Sequence, residues 1–313
     1  MTLIFCGTPR FAVPTLERLV ERGFDVKLVV TQPDRPRGRG LELAASPVKE
    51  RALQFGLPVV QPEKIKSNEE FRVQLAALKP DAIIVVGYGR IIPQWMIELP
   101  PLGNLNLHAS LLPKYRGAAP IQWAIAQGEK ITGVTTMRID AGLDTGDILL
   151  QREMPIGQND TAETLAPGLA TMGADLTVET LNGLKNGTVQ AKPQDDSKAS
   201  LAPILKREDG IIDFHRSATE IYNRLRGFQP WPGAFTTYRG KQLNISRAKP
   251  SEVRGIAEAT ISIAGERLLV GCGENSGLEI FELQPEGKKR MAARDFINGY
   301  RPRPGEQFQA PAA

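Results

Sequence analysis

The stretch LNLHASLLPKYRG, residues 105–117, decides how this chain is read. It begins as an alternation of apolar and polar residues, the pattern of a strand, and ends in a proline turn carrying Lys114 and Arg116. His108, one of two histidines in 313 residues, stands at the junction. Side chains two apart on a strand share a face, so Asn104, Asn106 and His108 point one way and Leu105 and Leu107 the other. In an open parallel sheet, ligands bind beyond the carboxyl ends of the strands. If NLNLHA is such a strand, Asn106 and His108 stand at the mouth of a site.

The flanking sequence supports that setting. Residues 1–185 alternate strand and helix patterns. LIFCG, DVKLVVTQ, PVVQ and DAIIVVG read as strands, continuously apolar where both faces are covered. VPTLERLVERG and FRVQLAALK have helical periodicity, and SPVKERALQFG opens a helix with Ser46 as N-cap and Pro47 in the first turn. A Pro/Gly/Arg loop fills the space from Pro33 to about Pro47. Beyond the opening stretch, ITGVTTMRID and DILLQREMPI read as two more strands and residues 161–185 as a long helix. The pattern predicts a parallel sheet with both faces covered, in a domain over residues 1–189. NGTVQAKPQDDSKAS is polar and aperiodic, so residues 190–205 are expected to form a linker. After a helix at ATEIYNRLRGF come short strands with Gly and Pro punctuation, which predict a small antiparallel barrel over residues 206–313.

Composition narrows the function classes. With 41% hydrophobic and 24% charged residues the chain reads as an ordinary globular protein. No apolar run is long enough to span a bilayer, and MTLIFCGTPRF reads as a first strand rather than a signal peptide. Cys6 and Cys272 have no metal or redox spacing, so reduced thiols and a cytoplasmic location are expected, with no metal. GTPRFA after the first strand is neither GxGxxG nor a P-loop, which leaves a nicotinamide or ATP site unsupported; Gly7 is expected to allow a tight turn. Residues 201–313 hold 17 Lys and Arg against 13 Asp and Glu, so the whole net charge of +4 resides there. Either a solvated basic face or an anionic partner accounts for this.

An amide, an imidazole and a carboxylate together suit acyl transfer. A carboxylate near imidazole favours its charged form, and the imidazolium and the amide can stabilise an oxyanion on an attacked carbonyl. No serine or cysteine nucleophile is needed if the attacking group is a substrate amine. RIDAGLDTGDIL supplies Asp140, Asp144 and Asp147, and spacing does not choose among them. His108 alone serves equally well as a histidine that caps a strand.

Several motifs occur in an informative order: GTPRFA (7–12), PDRPRGRG (33–40), SPVK (46–49), GYGRIIP (87–93), NLHASLLPKYRGAAPIQWAI (106–125), GLDTGDIL (142–149) and GFQPWPGAF (227–235). Together they resemble the methionyl-tRNA formyltransferases, along nearly the whole chain. The resemblance implies a Rossmann-like domain followed by an OB-like barrel. It also implies transfer of a formyl group from 10-formyltetrahydrofolate to methionyl initiator tRNA. Asn106, His108 and Asp144 then match the family's catalytic residues, and Ser110, Leu111, Leu112 and Pro113 its folate-contacting turn. That turn is expected to offer exposed backbone N–H and C=O groups to a flat heteroaromatic ring.

For tRNA the resemblance singles out Arg39 in the arginine loop, with Arg37 beside it where the family commonly has a small residue. Leu41 and Glu42 stand where basic residues are usual. In the C-terminal part, Arg224, Arg226, Arg239, Lys241, Arg247 and Lys249, and the run Lys288, Lys289 and Arg290, are candidates for phosphate contact. Trp231 and Phe235 read either as base-stacking rings or as packing. A monomer is expected. Two other classes remain: a formyltransferase acting on a small amine, such as an amino sugar nucleotide or glycinamide ribonucleotide, and a non-catalytic RNA-binding protein. The arginine loop speaks against the first, and the intact Asn/His/Asp set against the second.

Overall fold

A computed structural model of the chain describes residues 1–37, 42–303 and 305–309. The chain divides into two compact units. One comprises Met1–Pro120, Ile131–Pro155 and Ala166–Ala202; the other comprises Ile121–Lys130, Ile156–Leu165 and Pro203–Ala313.

The first part of the chain runs through β1 (Thr2–Gly7), α1 (Val13–Glu21), β2 (Asp25–Val30), a hairpin of β3 (Arg35–Arg37) and β4 (Glu42–Ala44), and α2 (Pro47–Gln54). It continues with β5 (Val59–Val60), α3 (Glu69–Ala77), β6 (Ala82–Val86), α4 (Gln94–Ile97) and β7 (Asn104–His108). Next come α5 (Pro120–Ala126), β8 (Ile131–Arg138), β9 (Ile148–Pro155) and α6 (Ala162–Asn186). The caps follow local chemistry. Ser46 accepts the Lys49 N–H at 3.1 Å with Pro47 opening α2, and Asn68 accepts the Phe71 N–H at 3.0 Å to start α3.

The strands form one seven-stranded sheet in the order β5-β2-β1-β6-β7-β8-β9. From β5 to β7 all neighbours are parallel, and β1 and β6 are buried nearly throughout, as continuous apolar runs require. The expectation of a parallel sheet needs a correction at its far end, where β8 runs antiparallel to β7 and β9 antiparallel to β8. The connection from β7 returns to the sheet at the end it left, so β8 has to run back. Edge strand β9 alternates more and less exposed residues along its length. The loop expected from Pro33 to Pro47 contains the β3–β4 hairpin.

Beneath one face, Ile4, Cys6, Ile83 and Val85 pack with Phe71, Leu75 and Met96 of α3 and α4. On the other face Leu107 meets α6 at Gly173, where a Cβ would come within 2.6 Å of its side chain. Gly7 serves close packing rather than a turn, since a Cβ there would lie 2.8 Å from Phe5. Asn104 shares the face of Asn106 and His108, but its amide is spent on Met96 O and Ile97 O at the end of α4.

In the second unit, α7 (Ala218–Gly227) opens with Ser217 and Glu220 forming a capping box. It is followed by β10 (Phe235–Tyr238), β11 (Lys241–Ser251), β12 (Ile261–Ala264), β13 (Arg267–Cys272), β14 (Ser276–Pro285), β15 (Met291–Ala292) and α8 (Ala293–Tyr300). The antiparallel order β10-β11-β14-β13-β12, with β15 on β14, curls into an OB-like half-barrel. Register shifts near Arg247 let the long strand β11 bend. The core joins Ile221 and Leu225 of α7, Leu243, Ile245, Leu268, Val270, Leu278 and Ile280 of the sheet, and Phe296 of α8.

Glu306 ties the last described segment to β10. It accepts from Arg303 N at 2.9 Å, Tyr238 Oη at 2.8 Å and Arg239 at 2.8 Å. The Arg303 N–H leads in holding the Glu306 carboxyl down to about 2, while burial pushes the Tyr238 hydroxyl up to about 12. A depressed carboxylate contributes stability that is complete above its ordinary value of 4.5 and is lost as pH falls toward 2. Thermal melts should therefore show Glu306→Gln less stable than the parent at pH 7, with the gap closing between about pH 4.5 and 2.

Candidate active site

The carboxyl ends of β1, β2, β6 and β7 lie along one edge of the parallel part of the sheet. Sheet geometry puts a ligand there. The turn after β6 takes left-handed backbone at Gly87 (φ +54°) and Gly89 (φ +76°), conformations that glycine adopts without steric cost. Gln32, just past β2, donates to Tyr88 O at 2.9 Å and Gly89 O at 3.1 Å, and its own carbonyl accepts from Arg35 at 2.8 Å. The base of the arginine hairpin is thereby pinned to the same edge. Lys49, Asp34 and Gln61 extend the network, with Lys49 Nζ 2.5 Å from Asp34 and 2.7 Å from Gln61. The partnering Lys49 and Gln61 side chains hold the Asp34 carboxyl below its ordinary range.

At the end of β7, the loop after β8 folds across the strand and delivers Asp144. Its Oδ1 accepts from Asn106 Nδ2 at 3.3 Å, and its Oδ2 accepts the Gly117 N–H at 2.8 Å and lies 3.6 Å from His108 Nδ1. His108 is only 5% exposed, and its Nε2 meets Tyr115 O at 2.8 Å. A carbonyl can only accept, so Nε2 carries the hydrogen and Nδ1, facing Asp144, is the nitrogen that gains or loses a proton. Asp144 itself is held at φ +52°, a left-handed conformation uncommon outside glycine.

The ambiguity among three aspartates resolves in space. Asp140 closes its own turn, accepting from Gly142 N at 3.0 Å and Thr145 Oγ1 at 2.7 Å. Asp147 enters the strand pairing through its carbonyl, which accepts from Arg138 N at 2.9 Å. Asp144 is the one whose carboxylate reaches Asn106 and His108. Among the described residues, no group of three or more His, Cys, Asp or Glu is arranged to hold a metal.

The turn Ser110–Leu111–Leu112–Pro113 departs from expectation. Several of its polar backbone groups are spent inside the protein. Thr135 Oγ1 donates to Ser110 O at 2.6 Å and accepts the Leu112 N–H at 3.2 Å, while Gln151 donates to Leu112 O at 2.9 Å. Ser110 and Leu112 are buried, whereas Leu111 and Pro113 are half-exposed. The half-exposed Leu111 and Pro113 offer a ligand apolar side-chain surface. Thr135 and Gln151 escaped the sequence reading because their partners lie across the sheet from them.

The cationic residues divide sharply. Arg39 and the side chain of Arg37 lie outside the described residues. Arg226 is buried and donates to Asp160 O at 2.7 Å, whereas Arg224 is half-buried and lies over the Trp123 and Phe228 rings. Burial lowers the affinity of both guanidinium groups for their protons. Arg239 and Arg247 are paired with Glu306 and Glu282. Lys241, Lys249, Lys288, Lys289 and Arg290 are exposed, with no ion pair among the described residues. Phe235 packs in the core, but Trp231 is 56% exposed, against the reading that the pair is wholly packing.

Residues 1–181 match the family model described as formyl transferase, and residues 204–301 match formyl transferase, C-terminal domain. The methionyl-tRNA formyltransferase of Koribacter versatilis is 68% identical over 308 residues, covering 98% of both chains. That of Acidobacterium capsulatum is 65% identical over 300 residues, 96% of each. Among solved structures, the sugar 3N-formyl transferase WlaRD, determined with dTDP and 5-N-formyl-THF, aligns with a TM-score of 0.67 over 92% of this chain and 99% of its own. At 20% identity that likeness speaks for the fold. Matched along nearly its full length by close relatives, the chain belongs to the methionyl-tRNA formyltransferase family.

Proposed function

We propose that this protein transfers the formyl group of 10-formyltetrahydrofolate to the amino group of methionyl initiator tRNA, giving N-formylmethionyl-tRNA. The observation that carries the reading is the convergence of Asn106, His108 and Asp144 at the carboxyl end of β7. Residues 1–189 take the catalytic role and residues 206–313 an RNA-binding one. The protein acts as a cytoplasmic monomer.

The neutral amine attacks the formyl carbon, and negative charge gathers on the formyl oxygen. An amide NH2 has two hydrogens, and one of those on Asn106 goes to Asp144, leaving the other for that oxygen. The His108–Asp144 contact of 3.6 Å is an ion-pair distance rather than a hydrogen bond, so a protonated Nδ1 retains a direction for the same oxygen. As the tetrahedral intermediate collapses, the C–N10 bond breaks, the amine nitrogen gives up one proton and N10 gains one. The His108–Asp144 pair is the titratable group beside that exchange. The turn at Ser110, Leu111, Leu112 and Pro113 supplies an apolar wall to the donor ring through Leu111 and Pro113. Arg37 and Arg39, with Lys289 and Arg290 between β14 and β15, contact RNA phosphates. A small amine acceptor requires neither group.

Formyl transfer to charged initiator tRNA, compared with charged elongator tRNA, uncharged tRNA and an amino sugar nucleotide, tests the reading; preference for the sugar refutes it. Asn106→Ala and His108→Ala should each lower kcat by about a hundred- to a thousandfold. Asp144→Asn should also displace the pH–rate profile, and an unmoved profile removes Asp144 from this role. The double charge reversal Lys289→Glu/Arg290→Glu should weaken tRNA binding and flatten its salt dependence by roughly 0.9 per lost phosphate contact on duplex. Filter binding across a salt series measures both.

A further inference from the structure

The segment 190–205 has the composition of a connector, yet its contacts converge on the surroundings of His108. Gln194 donates from Nε2 to Asp144 O and to Gly146 O, both at 2.8 Å. Its Oε1 accepts from Arg116 Nε at 3.0 Å and from the terminal Arg116 nitrogen at 2.7 Å. Arg116 is 7% exposed and also reaches Asp196 at 2.7 Å. A guanidinium has no acceptor, so the Gln194 amide cannot turn over without opposing donor to donor and carbonyl to carbonyl.

Six residues further on, Ser200 Oγ accepts the Tyr115 N–H at 2.9 Å, while the Ser200 backbone joins Pro113 O and Arg116 N. Tyr115 supplies the carbonyl that meets His108 Nε2, and Asp144 supplies the carboxylate facing Nδ1. Both flanking residues hold left-handed backbone, Tyr115 at φ +63° and Asp144 at φ +52°. Such conformations persist where neighbouring contacts hold them. One short segment holds both.

We propose that Gln194 and Ser200 are positioning residues for formyl transfer, each holding the backbone of a residue that places one partner at a ring nitrogen of His108. The inference rests on the roles given above to His108 and Asp144. It assigns to this polar segment a part in setting the imidazole's tautomer, its orientation and the placing of its counter-ion.

Gln194→Glu keeps an acceptor for Arg116 but sets a carboxylate oxygen against two carbonyls. In steady-state assays kcat should fall about ten- to a hundredfold, the scale expected when a catalytic group is misplaced by about 1 Å. KM for both substrates should stay within about twofold and the pH–rate profile should shift. Ser200→Ala should act in the same direction more weakly, and Ser200→Thr, which retains the hydroxyl, should restore the rate. Circular dichroism and melting temperature report the folded fraction. If both variants match the parent in kcat and pH profile while Asp144→Asn is crippled, the inference is overturned and the function stands. If Asp144→Asn is itself unimpaired, the underlying reading goes first. Activity lost only in proportion to folded protein, with the pH profile unmoved, assigns the segment a structural role and also overturns the inference.

Discussion

Everything at the candidate site turns on where one carboxylate is held. Asp144 takes a hydrogen from Asn106 and another from Gly117, and presents the same Oδ2 to His108. A carboxylate that accepts from both Asn106 and Gly117 fixes the amide and faces the ring with the same group. The geometry requires left-handed backbone at Asp144, and it requires Gly117, at φ +122°, where a Cβ would come within 2.7 Å of Ala202 O. Local strain is concentrated where chemistry needs precision, and the surrounding network holds it.

The sheet makes that placement possible. Parallel strands buried on both faces bring the ends of β1, β2, β6 and β7 to one edge without exposing their sides. Reversal at β8 then adds something a purely parallel sheet lacks. It sets Thr135 opposite His108, where its hydroxyl satisfies Ser110 O and Leu112 N, and it allows the loop after β8 to fold back over β7. The turn proposed to meet folate is therefore anchored by these bonds, so it loses little freedom when a flat ring packs against it.

Charge in the second unit follows a similar logic. The basic excess of the sequence is uneven in effect, because buried or paired guanidinium groups present little charge to a partner. Arg224 and Arg226 serve the packing around α7, and Arg239 and Arg247 are matched by glutamates. The cations that remain to draw a polyanion include Lys241 and Lys249 on β11 and Lys288, Lys289 and Arg290 between β14 and β15. Lys289 and Arg290 belong to that remainder.

Much was legible from residue order alone. Apolar runs identified β1 and β6, Ser46 and Pro47 marked the start of α2, and glycine-punctuated strands after residue 230 foretold the half-barrel. Alternation in NLNLHA put Asn106 and His108 on one face. These are short-range statements, set by sterics and hydrogen bonds between residues within a few positions of each other. Tertiary structure alone turned β8 around, buried Arg226, laid Arg224 over aromatic rings, and engaged Ser110 O and both backbone groups of Leu112. It alone set Asp144 against Asn106, 38 positions away, and Gln194 against Asp144, 50 positions away. No local pattern encodes such pairings, because each depends on how two distant loops close over the same strand end.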